Sequence, residues 1–193
     1  MIETGEQNLF KELNTQRLTL RQILPSDAKE LYENIYNNFD WYKFCYTVRY
    51  RDFDDFKYSL RSDEIKYKVG NYFRWGVVEK ETGKMIGEVR LHSKEYFTNR
   101  IKIGYLLSYN HQNLGYATEA VTRVINFCFN EMNISRIQAE IVQNNESSLQ
   151  LVKRIGMSYE KTMRCSYKIG SKYYDQDVYY VVNPNDGQKV LTR

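Results

Sequence analysis

Polar and apolar residues alternate through "RLTLRQI" (17–23), the two-residue period of a strand with one buried face. The period then changes. In "LPSDAKELYENIYNNF" (24–39) the apolar positions Ala28, Leu31, Ile35 and Tyr36 recur at helical steps, and Ser26 or Asp27 can cap the first turn. "RDFDDFKYSLRSDEIKYK" (51–68) reads as a second helix, again capped by aspartates, and an aromatic connector, "DWYKFCYTVRY" (40–50), lies between the two. Strand patterns follow at 72–80, 84–93 and 100–108, the first two joined by the hairpin signal "ETG". Ala117, Val121, Val124, Ile125, Cys128 and Met132 form the apolar stripe of a core-facing helix over 115–132. A strand at 136–143 and a short helix at 145–156, stopped by Gly156, come next. "MSYEKTMRCSYKIG" and "KYYDQDVYYVV" close the chain as an antiparallel pair. A three-strand meander followed by strand-helix-strand predicts an α/β fold. Its sheet is mixed and mostly antiparallel, of about seven strands, with helices on both faces.

Composition narrows the class. A chain of 193 residues fits a single domain with one buried core, here with its centre at about 15–182 and flexible ends. Ten glycines, two prolines and no low-complexity run argue against disorder. The net charge of +4 is mild and its carriers are scattered, so nucleic acid is not an expected partner, although the balance suits a polyanionic ligand. Cys45, Cys128 and Cys165 form no CxxC motif, and His92 and His111 are far apart, so no metal site is expected. No apolar run approaches the ~18 residues of a membrane span, and the first residues lack a signal-like apolar stretch. No membrane partner is expected, and a reducing cytoplasm is the expected compartment.

The stretch "HQNLGYATEA" (111–120) places a glycine and a small residue where the central helix begins. The first N–H groups of a helix have no intrahelical acceptor, and a bare backbone there admits an anion to the positive end of the helix dipole. A plain strand-to-helix turn would use the same residues. Glu119 is an acid in the first turn, favoured by the dipole without any further role.

The order of elements and four segments resemble the GCN5-related N-acetyltransferase (GNAT) superfamily, in the branch of the ribosomal-protein N-terminal acetyltransferases. The segments are "LNTQRLTLRQILPSDAKELYENI", "IGYLLS", the loop Gln112, Gly115, Ala117 matching Q/R-x-x-G-x-G/A, and "NNESSLQLVKRIGM" matching N-x-x-S before a helix and glycine. The resemblance implies acetyl-CoA as co-substrate. It places the pyrophosphate on backbone donors of Gln112, Asn113, Leu114, Gly115, Tyr116, Ala117 and Thr118. The pantetheine arm then lies along Leu106, Leu107 and Ser108 on one side and Asn145 on the other, with the Leu107 N–H as the donor to the oxyanion.

Acetyl transfer also needs a base for an ammonium of pKa ~10 and a partner for the departing thiolate. Many family members carry a tyrosine seven residues after the asparagine; here that position is Val152. The resembling branch has a serine three residues after it, Ser148, which either meets the thiol or serves as a helix cap. Glu88, and with it Glu140, is a candidate base; the competing reading of Glu88 is a solvent-facing strand position with Lys84 or Arg90 as a neighbour. Where some branch members have a catalytic glutamate this chain has Tyr167.

The connector borders the acceptor pocket in this family. Trp41, Tyr42, Phe44 and Tyr46 are candidates for its aromatic wall. Asp40, Asp52, Asp54 and Asp55 either attract a cationic amine or form a solvated face and a cap. "SYKIGSKYYDQDVYY" either closes the pocket or makes a homodimer contact. The expected function is N-acetyl transfer from acetyl-CoA to a primary amine, a protein N-terminus or a small molecule, by direct attack in a ternary complex. A coenzyme-A-binding sensor without turnover is the alternative that Val152 and Tyr167 keep open.

Overall fold

The computed structural model describes residues 10–45, 49–69 and 72–186. Its strands are β1 (Leu13–Asn14), β2 (Leu18–Gln22), β3 (Phe73–Glu79), β4 (Met85–Glu95), β5 (Arg100–Leu107), β6 (Arg136–Val142), β7 (Ser158–Ile169) and β8 (Lys172–Val182). They form one sheet in the order β1-β2-β3-β4-β5-β6-β8-β7. The strand beyond the expected seven is β1, whose two residues pair with Leu20 and Thr19. Two residues are too few to display a period.

The helices are α1 (Ala28–Leu31), α2 (Phe39–Tyr42), α3 (Phe53–Val69), α4 (Tyr116–Asn130) and α5 (Glu146–Arg154). The helix expected over 24–39 is broken into a 3₁₀ turn at Pro25–Asp27, α1, and a π turn at Tyr32–Tyr36. Asp27 fixes the first turn by accepting the Leu24 N–H at 2.7 Å and a bidentate Arg21 at 2.7 and 2.9 Å. Asp52 starts α3 by accepting the Asp55 N–H at 2.9 Å. Gly156 ends α5 at φ +81°, where its N–H reaches the Lys153 carbonyl and the Met157 N–H reaches Val152.

Helices cover both faces, as the patterns predict. Ala120, Val121, Val124, Phe127 and Cys128 of α4 and Leu149, Leu151 and Val152 of α5 pack with one face of the sheet. Ile23, Leu31, Ile35, Phe56 and Leu60 build a second cluster on the other. One departure from regularity sets up the site. All strand neighbours are antiparallel except β5 and β6, which pair in parallel over only three residues, Arg100↔Arg136 to Lys102↔Gln138. Beyond Lys102 the two strands part.

Candidate active site

A cavity of about 320 Å³ opens where β5 and β6 separate. Tyr105, Leu106 and Leu107 form one wall, Asn144 to Ser148 at the start of α5 form the other, and Gly115, Ala117 and Thr118 bring the start of α4 to its rim. Two helix N-termini therefore meet in one cleft, which favours negative charge.

Gly115 sits at φ +82°, in the left-handed region where a side chain is strained. Behind it, Arg17 donates to the Leu114 carbonyl at 3.0 Å and to Glu119 at 2.7 Å, and its guanidinium lies 4.3 Å from the centre of the Tyr116 ring. Glu119 also accepts Thr15 Oγ1 at 2.6 Å and the Arg17 N–H at 2.9 Å. Burial works to raise its carboxyl, but Thr15 and Arg17 more than offset this and hold it low. Glu119 thus braces the loop from behind, a part beyond the dipole preference of a first-turn acid.

One member of the expected donor run is corrected. The Gln112 N–H is used by the Tyr109 carbonyl at 3.3 Å, although the residue lines the cavity as Asn113 does. The Leu114 side chain points to solvent and the Tyr116 side chain turns inward to hydrogen-bond Glu79, so only the backbone of these two residues is left to face an anion at the start of α4. Ser108 is corrected as well. Its N–H pairs with the Ile86 carbonyl at 2.8 Å and its hydroxyl with His111 Nδ1 at 2.6 Å. In an antiparallel pair successive amides alternate sides, so the Leu107 N–H turns away from β4 toward the gap.

At the facing wall, the cap of α5 is Asn145. Its side-chain carbonyl accepts the Ser148 N–H at 3.3 Å and the Ser147 hydroxyl at 3.0 Å. Ser148 is therefore not the cap; it is buried and lines both the large cavity and a smaller one of about 30 Å³ reaching His92 and Glu140. Glu140 is ion-paired to Lys102 at 2.5 Å.

Glu88 is corrected as a base and as a solvent-facing position, since it faces neither the cleft nor solvent, while the expected neighbour Arg90 is present. It is completely buried between Arg74 and Arg90, the latter at 2.6 Å, and Arg74 also reaches Asp63 at 2.5 Å and the Tyr36 hydroxyl at 3.2 Å. Burial would raise the carboxyl, but the two guanidiniums outweigh it and hold the pKa down at about 2. Such a group is a structural anion and a poor base at neutral pH.

At the connector, Tyr42 is corrected from pocket wall to core: it is fully buried beside Tyr36 and Phe39. Phe44 lines both cavities and packs edge-on against Tyr174 at 5.6 Å. The Trp41 side chain and Tyr46 lie outside the described residues. Asp52 and Asp55 cap or brace α3, Asp54 is exposed, and Asp40 lines the cavity while paired to Lys43 at 3.0 Å. The Tyr167 hydroxyl is shared between the Lys43 and Cys45 carbonyls at 2.9 and 2.8 Å, so it latches the connector.

Arg154, Tyr105 and His111 also line the cavity and were not singled out from the sequence. Arg154, in the last turn of α5, reads there as a dipole complement; it reaches Thr118 across the cleft at 3.4 Å. No group of three or more metal-ligating side chains occurs among the described residues.

The GNAT acetyltransferase domain profile matches residues 17–158. YoaA, an uncharacterized N-acetyltransferase of Bacillus subtilis (strain 168), is 26% identical over 92% of this chain and 100% of its own length. The spermidine N(1)-acetyltransferase of Vibrio cholerae serotype O1 (strain ATCC 39315 / El Tor Inaba N16961) is 24% identical over 88% of this chain and 95% of its own. The ribosomal-protein-S5-alanine acetyltransferase of Vibrio fischeri superposes with a TM-score of 0.76 at 23% identity, covering 91% of this chain and 98% of that one. The chain therefore belongs to the GNAT acetyltransferase family, as an N-acetyltransferase whose co-substrate is acetyl-CoA.

Proposed function

We propose that the protein acetylates a primary amine, a protein N-terminus or a small-molecule amine, by direct attack within a ternary complex. The observation that carries this is the parting of β5 and β6 beyond Lys102, with a cavity running through the gap from the start of α4 to the connector. The residues fit the co-substrate: the backbone is bare at Gly115, two helix N-termini converge, and Arg154 is a cation at the rim. Bound there, acetyl-CoA supplies an activated acyl carbon on a thiol leaving group. The N–H groups of Gly115, Ala117 and Thr118 hold the pyrophosphate, and Leu106 and Asn145 flank the arm. The Leu107 N–H, aimed into the gap, is the donor for the oxyanion. Phe44 and Tyr105 flank the approach of the amine, and Ser148 stands where the sulfur departs. The amine-directed activities named for the relatives, on spermidine and on a ribosomal protein, support the same acceptor chemistry. None of the three cysteines is in a disulfide, which suits the cytoplasm as the compartment.

The test is free-thiol release from acetyl-CoA across N-terminal peptides, polyamines, amino sugars and aminoglycosides. Release that depends on one of these establishes transfer and names the acceptor class. Acetyl-CoA binding without release from any amine would replace this reading with that of a binding-only sensor.

A further inference from the structure

Departure of a thiolate is eased by a hydrogen-bond donor at the sulfur. Position 152, where the family resemblance points for a tyrosine, holds a fully buried valine. A phenol nevertheless reaches the same turn of α5 from the strand opposite. Tyr105 of β5 lines both cavities, and its hydroxyl donates to the Ser148 carbonyl at 3.3 Å. In an α-helix that carbonyl is the acceptor for the N–H four residues on, which is Val152. The Tyr105 hydroxyl thus arrives at the one turn that carries both Ser148 and Val152.

We propose that Tyr105 is a catalytic hydrogen-bond donor to the departing thiolate, a task that a side chain at position 152 cannot perform in this chain. The inference rests on the acetyl-transfer reading above and deepens it. As the C–N bond forms and the C–S bond breaks, the electron pair leaves on sulfur and the Tyr105 O–H turns from the Ser148 carbonyl to it. The proton lost by the amine nitrogen passes to solvent, and the thiolate takes up a proton there. Tyr105 itself ends the step unchanged.

The surroundings keep the phenol in its donor form. Burial pushes it up, Ser148 lowers it in part, and the Cys45 thiol adds to the rise. The charged and titratable groups around the smaller cavity are Cys45 on the connector, His92 on β4 and Glu140 on β6, and the larger cavity adds Asp40, His111, Glu146 and Arg154. Burial pushes Cys45 up to about 12, while burial, Arg90 and Lys102 push His92 down to about 4. Neither changes charge near neutral pH. Glu140 is held by Lys102.

The experiment uses the full chain and the thiol-release assay with the amine that supports turnover. Tyr105→Phe keeps the ring and its packing. We expect kcat to fall about 100-fold while acetyl-CoA affinity stays within about twofold. Mono- and difluorotyrosine placed at position 105 lower the phenol pKa in steps, and the alkaline limb of kcat should move to lower pH in the same steps. A packing role alone would leave that limb in place. Unchanged kcat in the phenylalanine variant, an alkaline limb indifferent to fluorination, or a loss confined to acetyl-CoA affinity would each overturn the assignment. No release by the unaltered protein with any amine would overturn the transfer reading itself, and the role of Tyr105 with it.

Discussion

A guanidinium nitrogen of Arg17 lies 3.3 Å from the point where a Cβ on Gly115 would stand, and the same side chain holds the Leu114 carbonyl and Glu119. The loop before α4 is thus pressed from behind by the residue preceding β2. A side chain at position 115 has an arginine on one side and the cleft on the other.

Gly115→Asp tests this directly. The φ of +82° costs a non-glycine residue about 1–2 kcal/mol, which a folded domain can absorb. A carboxylate beside the pyrophosphate should weaken acetyl-CoA binding by about 100-fold or more. Gly115→Ala carries the same backbone cost without the charge and should fall between the two in titration calorimetry. Unchanged affinity in a folded aspartate variant would remove the loop from the site.

Arg154 is the cation that reaches across the cleft from α5 to Thr118. Arg154→Ala should raise the KM for acetyl-CoA about tenfold, with kcat unchanged, because it removes attraction common to ground and transition states. The KM of the variant should also respond less to added salt than that of the unaltered protein. A fall in kcat with KM unmoved would place Arg154 in the chemistry instead.

Glu88 belongs to the buried charge network with Arg74, Arg90 and Asp63. Glu88→Gln leaves two guanidiniums short of their anion and should cost about 3 kcal/mol of stability by denaturant titration. Its folded pKa is depressed from 4.5 to about 2. The stability it contributes is therefore complete above about pH 4.5 and is lost as pH falls through 2. The difference between the two proteins should narrow over that window. Full stability with abolished turnover in the glutamine variant would restore Glu88 as a base.

Much of this was legible in one dimension. The stripe of α4, the Gly115 turn and the Gly156 stop are local signals, each written within a few residues of where it acts. The face taken by Glu88 was not legible, because helices cover both faces of β4 and alternation names two sides without saying that both are dry. Tyr42 and Phe44 are both aromatic and two residues apart, yet α2 turns the first into the core while the second lines the cleft. Tyr105 and Arg154 gained meaning only when α5 was packed against β5 and α4. The 3₁₀ turn that opens 24–39 is held by an Arg21–Asp27 pair that no period records.

Tyr167 stands where a catalytic glutamate was a possibility from the resemblance, and its hydroxyl instead lies between the Lys43 and Cys45 carbonyls. The register shift of β7 between Met163 and Tyr167, with Cys165 at φ +50°, bends the strand just before it. The phenol therefore ties β7 to the connector that carries Phe44. Tyr167→Phe removes the donor and keeps the ring, at a cost of about 1 kcal/mol in stability. The connector should then hold its acceptor wall less firmly, raising the KM of the amine about fivefold to tenfold while the KM of acetyl-CoA, set at the far end by the Gly115 loop, stays unchanged. Steady-state kinetics with each substrate varied in turn separates the outcomes. A rise in both KM values would spread the effect over the fold, and a collapse of kcat with both KM values intact would give Tyr167 a part in proton transfer that its two carbonyl partners argue against.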